Sequence, residues 1–143
     1  MNYDLVASLK DERRDLKIIL NGGINTLDAC TDHLRVFDGV MLGRAAYQTP
    51  ALLGAVDHTL FESGVAIKSQ FDAVRDYRPY IQARLAEGVR LSSMTRHMLG
   101  LFNGMPGARQ WRRTLSEKGP KPGADITVLD EALEAVELNA VAC

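Results

Sequence analysis

The stretch "KIILNGGINT", Lys17–Thr26, sets the frame for reading the whole chain. A short apolar run stops at Asn21, two glycines follow, and a helix-like pattern begins at Thr26. "LKIIL" (Leu16–Leu20) has the continuous apolar character of a parallel strand buried on both faces. Thr26 is placed to cap a helix running to about Arg35, with Leu27, Cys30 and Leu34 on one side. "FDGVML" (Phe37–Leu42) reads as a second strand, ending at Gly43-Arg44. Upstream, Leu5–Lys10 suits the end of a helix. Downstream, Ala51, Leu52, Ala55 and Val56 form the apolar stripe of another. The order β-α-β-α predicts parallel strands joined by a right-handed crossover.

Two parallel strands with helices on one side cannot close a core. A complete (β/α)8 barrel takes roughly 250 residues, and this chain has 143. The first part, to about Gly64, therefore reads as the tail of a larger parallel α/β domain. Its open edges and faces around Leu16–Leu20 and Phe37–Leu42 predict self-association of the isolated chain.

The second part reads as all-helical. Phe71, Val74, Tyr77, Ile81 and Leu85 step by three and four through Ile67–Gly88, and Pro79 predicts a kink or break near Arg78. Ser92–Phe102 suits a further helix, Asn103–Gly107 a turn, and Ala108–Lys118 another helix closed by the "GPKPGA" loop. A last helix, about Ile126–Leu138, places Ile126, Leu129, Leu133 and Val136 on one face.

Composition is that of an ordinary globular protein, 46% apolar and 24% charged with a formal net charge of -1. Cys30 and Cys143 are far apart and lack metal spacing, so a reducing compartment is expected. No apolar run approaches the ~18 residues of a membrane span, and the charged start does not read as a signal peptide. A cytoplasmic location without membrane contact is the expectation.

A strand-Asn-Gly-Gly-helix turn offers backbone N–H groups to an anion, above all a phosphate. Gly43 leaves room for close approach, and Arg44 adds a fixed positive charge. Ligands of parallel α/β folds bind at the carboxyl ends of strands, and in barrels the loops after strands seven and eight form phosphate sites. Two ordinary turns that need glycine for its backbone freedom explain the same residues, and spacing alone leaves both readings open.

The near-zero net charge hides a strong asymmetry. Ser92–Pro122 carries Arg96, Arg109, Arg112, Arg113, Lys118 and Lys121 against Glu117, a local charge of +5. Asp125–Glu137 carries five acids and no cation. The arginines either face RNA or form a solvated surface paired to the acidic helix; taken together they favour RNA. Trp111 is read as core, and Cys30 as packing. His33, His58 and His97 show no metal or catalytic spacing, and no metal site or general base is assigned.

The motifs "LNGGINT", "DGVMLGRAAYQTP", "TRHMLGLFNGMPGARQWRRTLSE" and "GADITVL" resemble the C-terminal part of the A-type bacterial tRNA-dihydrouridine synthases. The resemblance runs from about Tyr3 to Leu138. It implies an α/β plus all-α chain: strands seven and eight of an FMN-binding (β/α)8 TIM barrel over residues 1–64, then a helical tRNA-binding bundle over 65–143. It implies an oxidoreductase that uses NADPH, through FMN, to reduce uridine in the tRNA D-loop to 5,6-dihydrouridine. Asn21, Gly22, Gly23, Gly43 and Arg44 would hold the FMN phosphate, and Arg96, Arg109, Arg112, Arg113 and Lys118 would face tRNA. The family's catalytic cysteine lies on an earlier barrel loop. Neither Cys30 nor Cys143 matches it, and the chain alone is expected to be inactive. A non-catalytic RNA-binding module with a barrel remnant is the alternative. A fragment of another phosphate-binding barrel explains the glycines but not the Trp111 motif.

Overall fold

The computed structural model describes residues 2–61 and 63–141. It is mostly helical, with one small parallel sheet. The chain order is α1 (Tyr3–Glu12), β1 (Ile19–Asn21), α2 (Leu27–Leu34), β2 (Gly39–Met41), α3 (Arg44–Gln48), a 3-10 turn (Pro50–Ala55), α4 (Val56–Leu60), α5 (Gln70–Ala86), α6 (Leu91–Thr95), α7 (Ala108–Lys118) and α8 (Ile126–Val141).

β1 and β2 pair in parallel, Ile19 with Gly39, Leu20 with Val40 and Asn21 with Met41. Both strands are shorter than the apolar runs that predict them. Leu16 is held in a turn by its N–H to the Arg13 carbonyl, and the Phe37 N–H closes onto the His33 carbonyl behind α2. Only three rungs remain. The sheet is buried on one face only, which leaves the open face expected of two strands alone. Leu20 is 2% exposed, but Ile19 and Met41, pointing the other way, are 56% and 46% exposed. Leu20, Ile24, Cys30 and Phe37 make a small core with Tyr3, Val6, Leu27 and Leu60 packed around it. Asp38 ties the sheet to α1 by accepting from Lys10 Nζ and from the Ile18 N–H. The Lys10 ammonium holds its carboxyl below the usual carboxylate range.

Caps explain several helix starts. Thr26 Oγ1 accepts from the Ala29 N–H, as the sequence predicts. Asn2 caps α1 and Ser69 caps α5 in the same way. The single helix expected around Ala51–Val56 is instead split into α3, the 3-10 turn and α4, because Pro50 cannot continue α3.

The helical part has a larger core. Trp111 is fully buried, its Nε1–H donates to the Met98 carbonyl at 3.1 Å, and its ring meets Phe102 edge-on at 4.8 Å. Phe102 in turn packs on Phe71 of α5. Val74, Ile81, Leu91, Leu115, Leu129 and Val136 complete the centre. Gly107, at φ 84°, starts α7 where a Cβ would lie 2.9 Å from the Val136 Cα, so only glycine lets α7 and α8 come this close.

Two helix expectations change. Pro79 does not break α5, which runs from Gln70 to Ala86. Pro79 and Arg75 both lie on the exposed side, so the carbonyl that loses its N–H partner is left to water. The helix expected over Ser92–Phe102 ends at Thr95, and the chain continues in turns to Met105. There Gly100 presses its backbone onto the Gln48 carbonyl, an approach any Cβ would block. A similar contact pins the start of α5. The Lys68 N–H donates to the Gly54 carbonyl at 3.0 Å, and the Lys68 carbonyl lies where a Cβ of Gly54 would be.

Candidate functional site

The structure brings all five expected phosphate residues to one place. Asn21 and Met41 are paired at the carboxyl ends of β1 and β2, so the loops that follow open side by side. Asn21, Gly22, Gly23, Ile24, Asn25, Met41, Gly43, Arg44 and Ala45 line a recess of about 160 Å³. Among the described residues no carboxylate lines it. Arg44 is exposed and, among the described residues, has no hydrogen-bonded or ionic partner. The missing Cβ of Gly43 faces only the Met41 side chain, at 3.6 Å or more.

The two glycines of the first loop adopt backbone conformations that suit glycine, one of the two roles their spacing leaves open. Gly22 and Gly23 have φ of 131° and 71°, a left-handed turn that a β-carbon disfavours. What lies against Gly23 is not open space but Tyr3 of α1, whose Oη would be 2.9 Å from a Cβ there. The Tyr3 hydroxyl donates to the Gly22 carbonyl at 2.8 Å, and its ring rests on His33 of α2 at 4.6 Å. With that carbonyl tied to α1, the loop backbone is held from behind. Tyr3 gives no local signal in the sequence, being 19 residues from its partner. At the N-terminus of α2, the Thr26 side chain takes the Ala29 N–H, as expected.

The basic residues divide into distinct classes. Lys118 Nζ pairs with Glu131 of α8 at 2.6 Å, and Arg113 with Glu117 of its own helix at 3.1 Å. Arg109 is exposed and has no partner among the described residues. Arg96 and Arg112 are oriented by neutral groups, the His97 Nε2 at 2.9 Å and the Asn103 Oδ1 at 2.7 Å. Asp130 and Glu137 of α8 face α5. Arg78 grips Asp130 with two bonds of 2.8 and 2.7 Å, and Arg75 meets Glu137 at 2.6 Å. The Arg78 guanidinium holds the Asp130 carboxyl below its usual range. The acidic helix thus pairs with Arg75, Arg78 and Lys118, and among the described residues Arg96, Arg109 and Arg112 have no carboxylate partner.

The core reading of Trp111 holds, so its ring is not available to stack on a base. Cys30 is fully buried, out of reach of any substrate, and burial pushes its thiol pKa up, away from the reactive thiolate. Cys143 lies outside the described residues. Among the described residues no cluster suits a metal ion, and no helix is long and apolar enough to cross a membrane.

The family model for dihydrouridine synthase matches residues 1–137. The chain belongs to the dihydrouridine synthase family. It is 48% identical over 141 residues to a tRNA-dihydrouridine(20/20a) synthase of Vibrio parahaemolyticus, covering 97% of this chain and 43% of that protein. A protein of the same name from Salmonella typhimurium is 48% identical over 136 residues, 95% of this chain and 41% of the relative. One from Yersinia pestis is 46% identical over 95% of this chain and 39% of the relative. The chain thus spans about two fifths of the length of these dihydrouridine synthases. The expected family is the family found.

Proposed function

We propose that this chain is the C-terminal part of a flavin-dependent tRNA-dihydrouridine synthase acting in the cytoplasm. Residues 1–64 are strands seven and eight of an FMN-binding (β/α)8 barrel with their helices. Residues 65–143 are its helical tRNA-binding domain. The separate hydrophobic cores around Leu20 and around Trp111 support that division.

One observation carries the flavin assignment: Asn21, Gly22, Gly23, Gly43 and Arg44 converge on one recess at the ends of two adjacent parallel strands, with no carboxylate among its described lining residues. Loop N–H groups and one unpaired guanidinium fit a phosphate monoester. FMN, when bound and reduced by NADPH, supplies the hydride that converts uridine in the tRNA D-loop to 5,6-dihydrouridine. This chain's share is to hold the cofactor's phosphate and to grip tRNA through Arg96, Arg109, Arg112, Arg113 and Lys118. Cys30 is sealed in the core and is not the proton donor for that step.

Two measurements test this. Amide shifts in an NMR titration with FMN should move Gly22, Gly23, Gly43 and Arg44, while riboflavin, which lacks the phosphate, should not move them. Shifts with neither ligand, or equally with both, overturn the phosphate assignment. Incubation with FMN, NADPH and unmodified tRNA should yield no dihydrouridine, and turnover would overturn the view that the catalytic acid lies elsewhere. The unpartnered Arg109 also fits the alternative, an RNA-binding module with a vestigial barrel remnant. That reading predicts tRNA binding without the FMN response.

A further inference from the structure

Where the end of α3 meets the turns after α6, Tyr47, Gln48, Arg96, His97, Leu99, Gly100, Asn103 and Arg112 enclose a cleft of about 330 Å³. Among the described residues no carboxylate lines it, yet two guanidiniums do. We propose that this cleft is a built site for a backbone phosphate of RNA, with Tyr47 and Asn103 as parts of the site alongside Arg96 and Arg112. The inference rests on the tRNA-binding reading and narrows it to one place.

The hydrogen bonding argues for an anion. Arg96 Nε–H donates to His97 Nε2 at 2.9 Å, so that nitrogen carries no proton. A neutral ring then bears its proton on Nδ1, which lies 3.1 Å from Tyr47 Oη and donates to it. The Tyr47 hydroxyl hydrogen is left over as a donor. Asn103 Nδ2 donates to the Gln48 carbonyl at 2.7 Å, and Asn103 Oδ1 accepts from Arg112 Nη1 at 2.7 Å. The acceptors of both pinning groups are therefore used, while donors remain on Arg96, Arg112 and Tyr47. A guanidinium fixed by a carboxylate is neutralised, as Arg78 is by Asp130. A guanidinium fixed by a neutral group is oriented and keeps its charge, which is what a phosphate needs.

The site also depends on both parts of the chain. Tyr47 and Gln48 belong to α3, and the other residues follow Thr95. Gly100 packs directly on the Gln48 carbonyl, which sets the distance between the two walls.

The test uses the whole chain and fluorescent unmodified tRNA, with affinity followed from about 50 to 200 mM salt. Arg96→Gln/Arg112→Gln should weaken binding roughly tenfold and flatten the log–log salt slope by about 1.4 to 1.8, the loss of two phosphate contacts. Asn103→Ala and Tyr47→Phe change no charge. Each should weaken binding by roughly threefold, through lost positioning or a lost donor. Thermal midpoints by circular dichroism check that each variant remains folded. If the arginine pair weakens binding but Asn103→Ala and Tyr47→Phe do not, the cations act diffusely and the built site is overturned. If only Arg109→Gln/Arg113→Gln weakens binding, RNA runs over the other side of α7; the cleft is overturned and tRNA binding stands. If the wild-type chain does not bind tRNA at low salt, both fall.

Discussion

The two parts of this chain solve the problem of burial differently. The helical part closes on itself: α5, α6, α7 and α8 surround Trp111 and Phe102, and both rings are fully buried. The strand part covers only one face of its sheet. Leu20 is enclosed while its neighbour Ile19 and the cross-strand Met41 are bare. One part has a centre, and the other has a side. The unmatched length of the dihydrouridine synthase relatives is consistent with that bare face, since a parallel sheet is stable when covered on both sides.

That contrast can be broken most directly at Trp111. Trp111→Ala should destabilise the helical part by about 3 to 5 kcal/mol. Hydrogen exchange should show α7 and α8 losing protection while β1 and β2 change little. Equal loss in both parts would show one cooperative unit instead of two cores. Next in size is the bare face. Ile19→Lys/Met41→Lys should shift the chain from self-associated to monomeric in light scattering, with stability altered by no more than about 0.5 kcal/mol. A monomer before mutation would mean that the face is tolerated as it is. Tyr3→Phe should cost about 1 kcal/mol in the strand part alone, and should weaken the Gly22 and Gly23 response to FMN more than the Gly43 response. The smallest effect belongs to the clamp between α5 and α8. Arg78 lowers the Asp130 pKa, so the pair stabilises the fold fully above the unfolded value near 3.9. That contribution is lost as pH falls through the lower folded value. Asp130→Asn should remove this acid sensitivity, at a cost of at most about 1 kcal/mol at neutral pH because both side chains are partly exposed.

The sequence made the parallel pair and the meeting of its two glycine turns legible because both depend on local signals. Apolar runs ending in glycine fix where strands stop, and parallel pairing then sets the two turns side by side. Trp111 as core was legible from its place on an amphipathic helix. The rest depended on contacts distant in sequence. Nothing near Tyr3 announces the Gly22 carbonyl, and nothing in Ser92–Phe102 announces that Gly100 must meet Gln48. Pro79 misled because its penalty depends on which side of the helix it occupies, and in α5 that side faces water. The five cations looked equivalent in the sequence. Only the packing of α8 shows that Lys118 is neutralised while Arg96 and Arg112 are not.

The contact between Gly54 and Lys68 has a further consequence. The chain between α4 and α5 is pinned at its far end, with the Lys68 N–H on the Gly54 carbonyl and the Lys68 carbonyl filling the space that a side chain on Gly54 would occupy. The stretch from Gly54 to Lys68 is thereby a closed loop, anchored at both ends, so the start of α5 is fastened to the 3-10 turn by backbone alone. A side chain on Gly54 would act as a wedge in that fastening, opening the loop without touching either core.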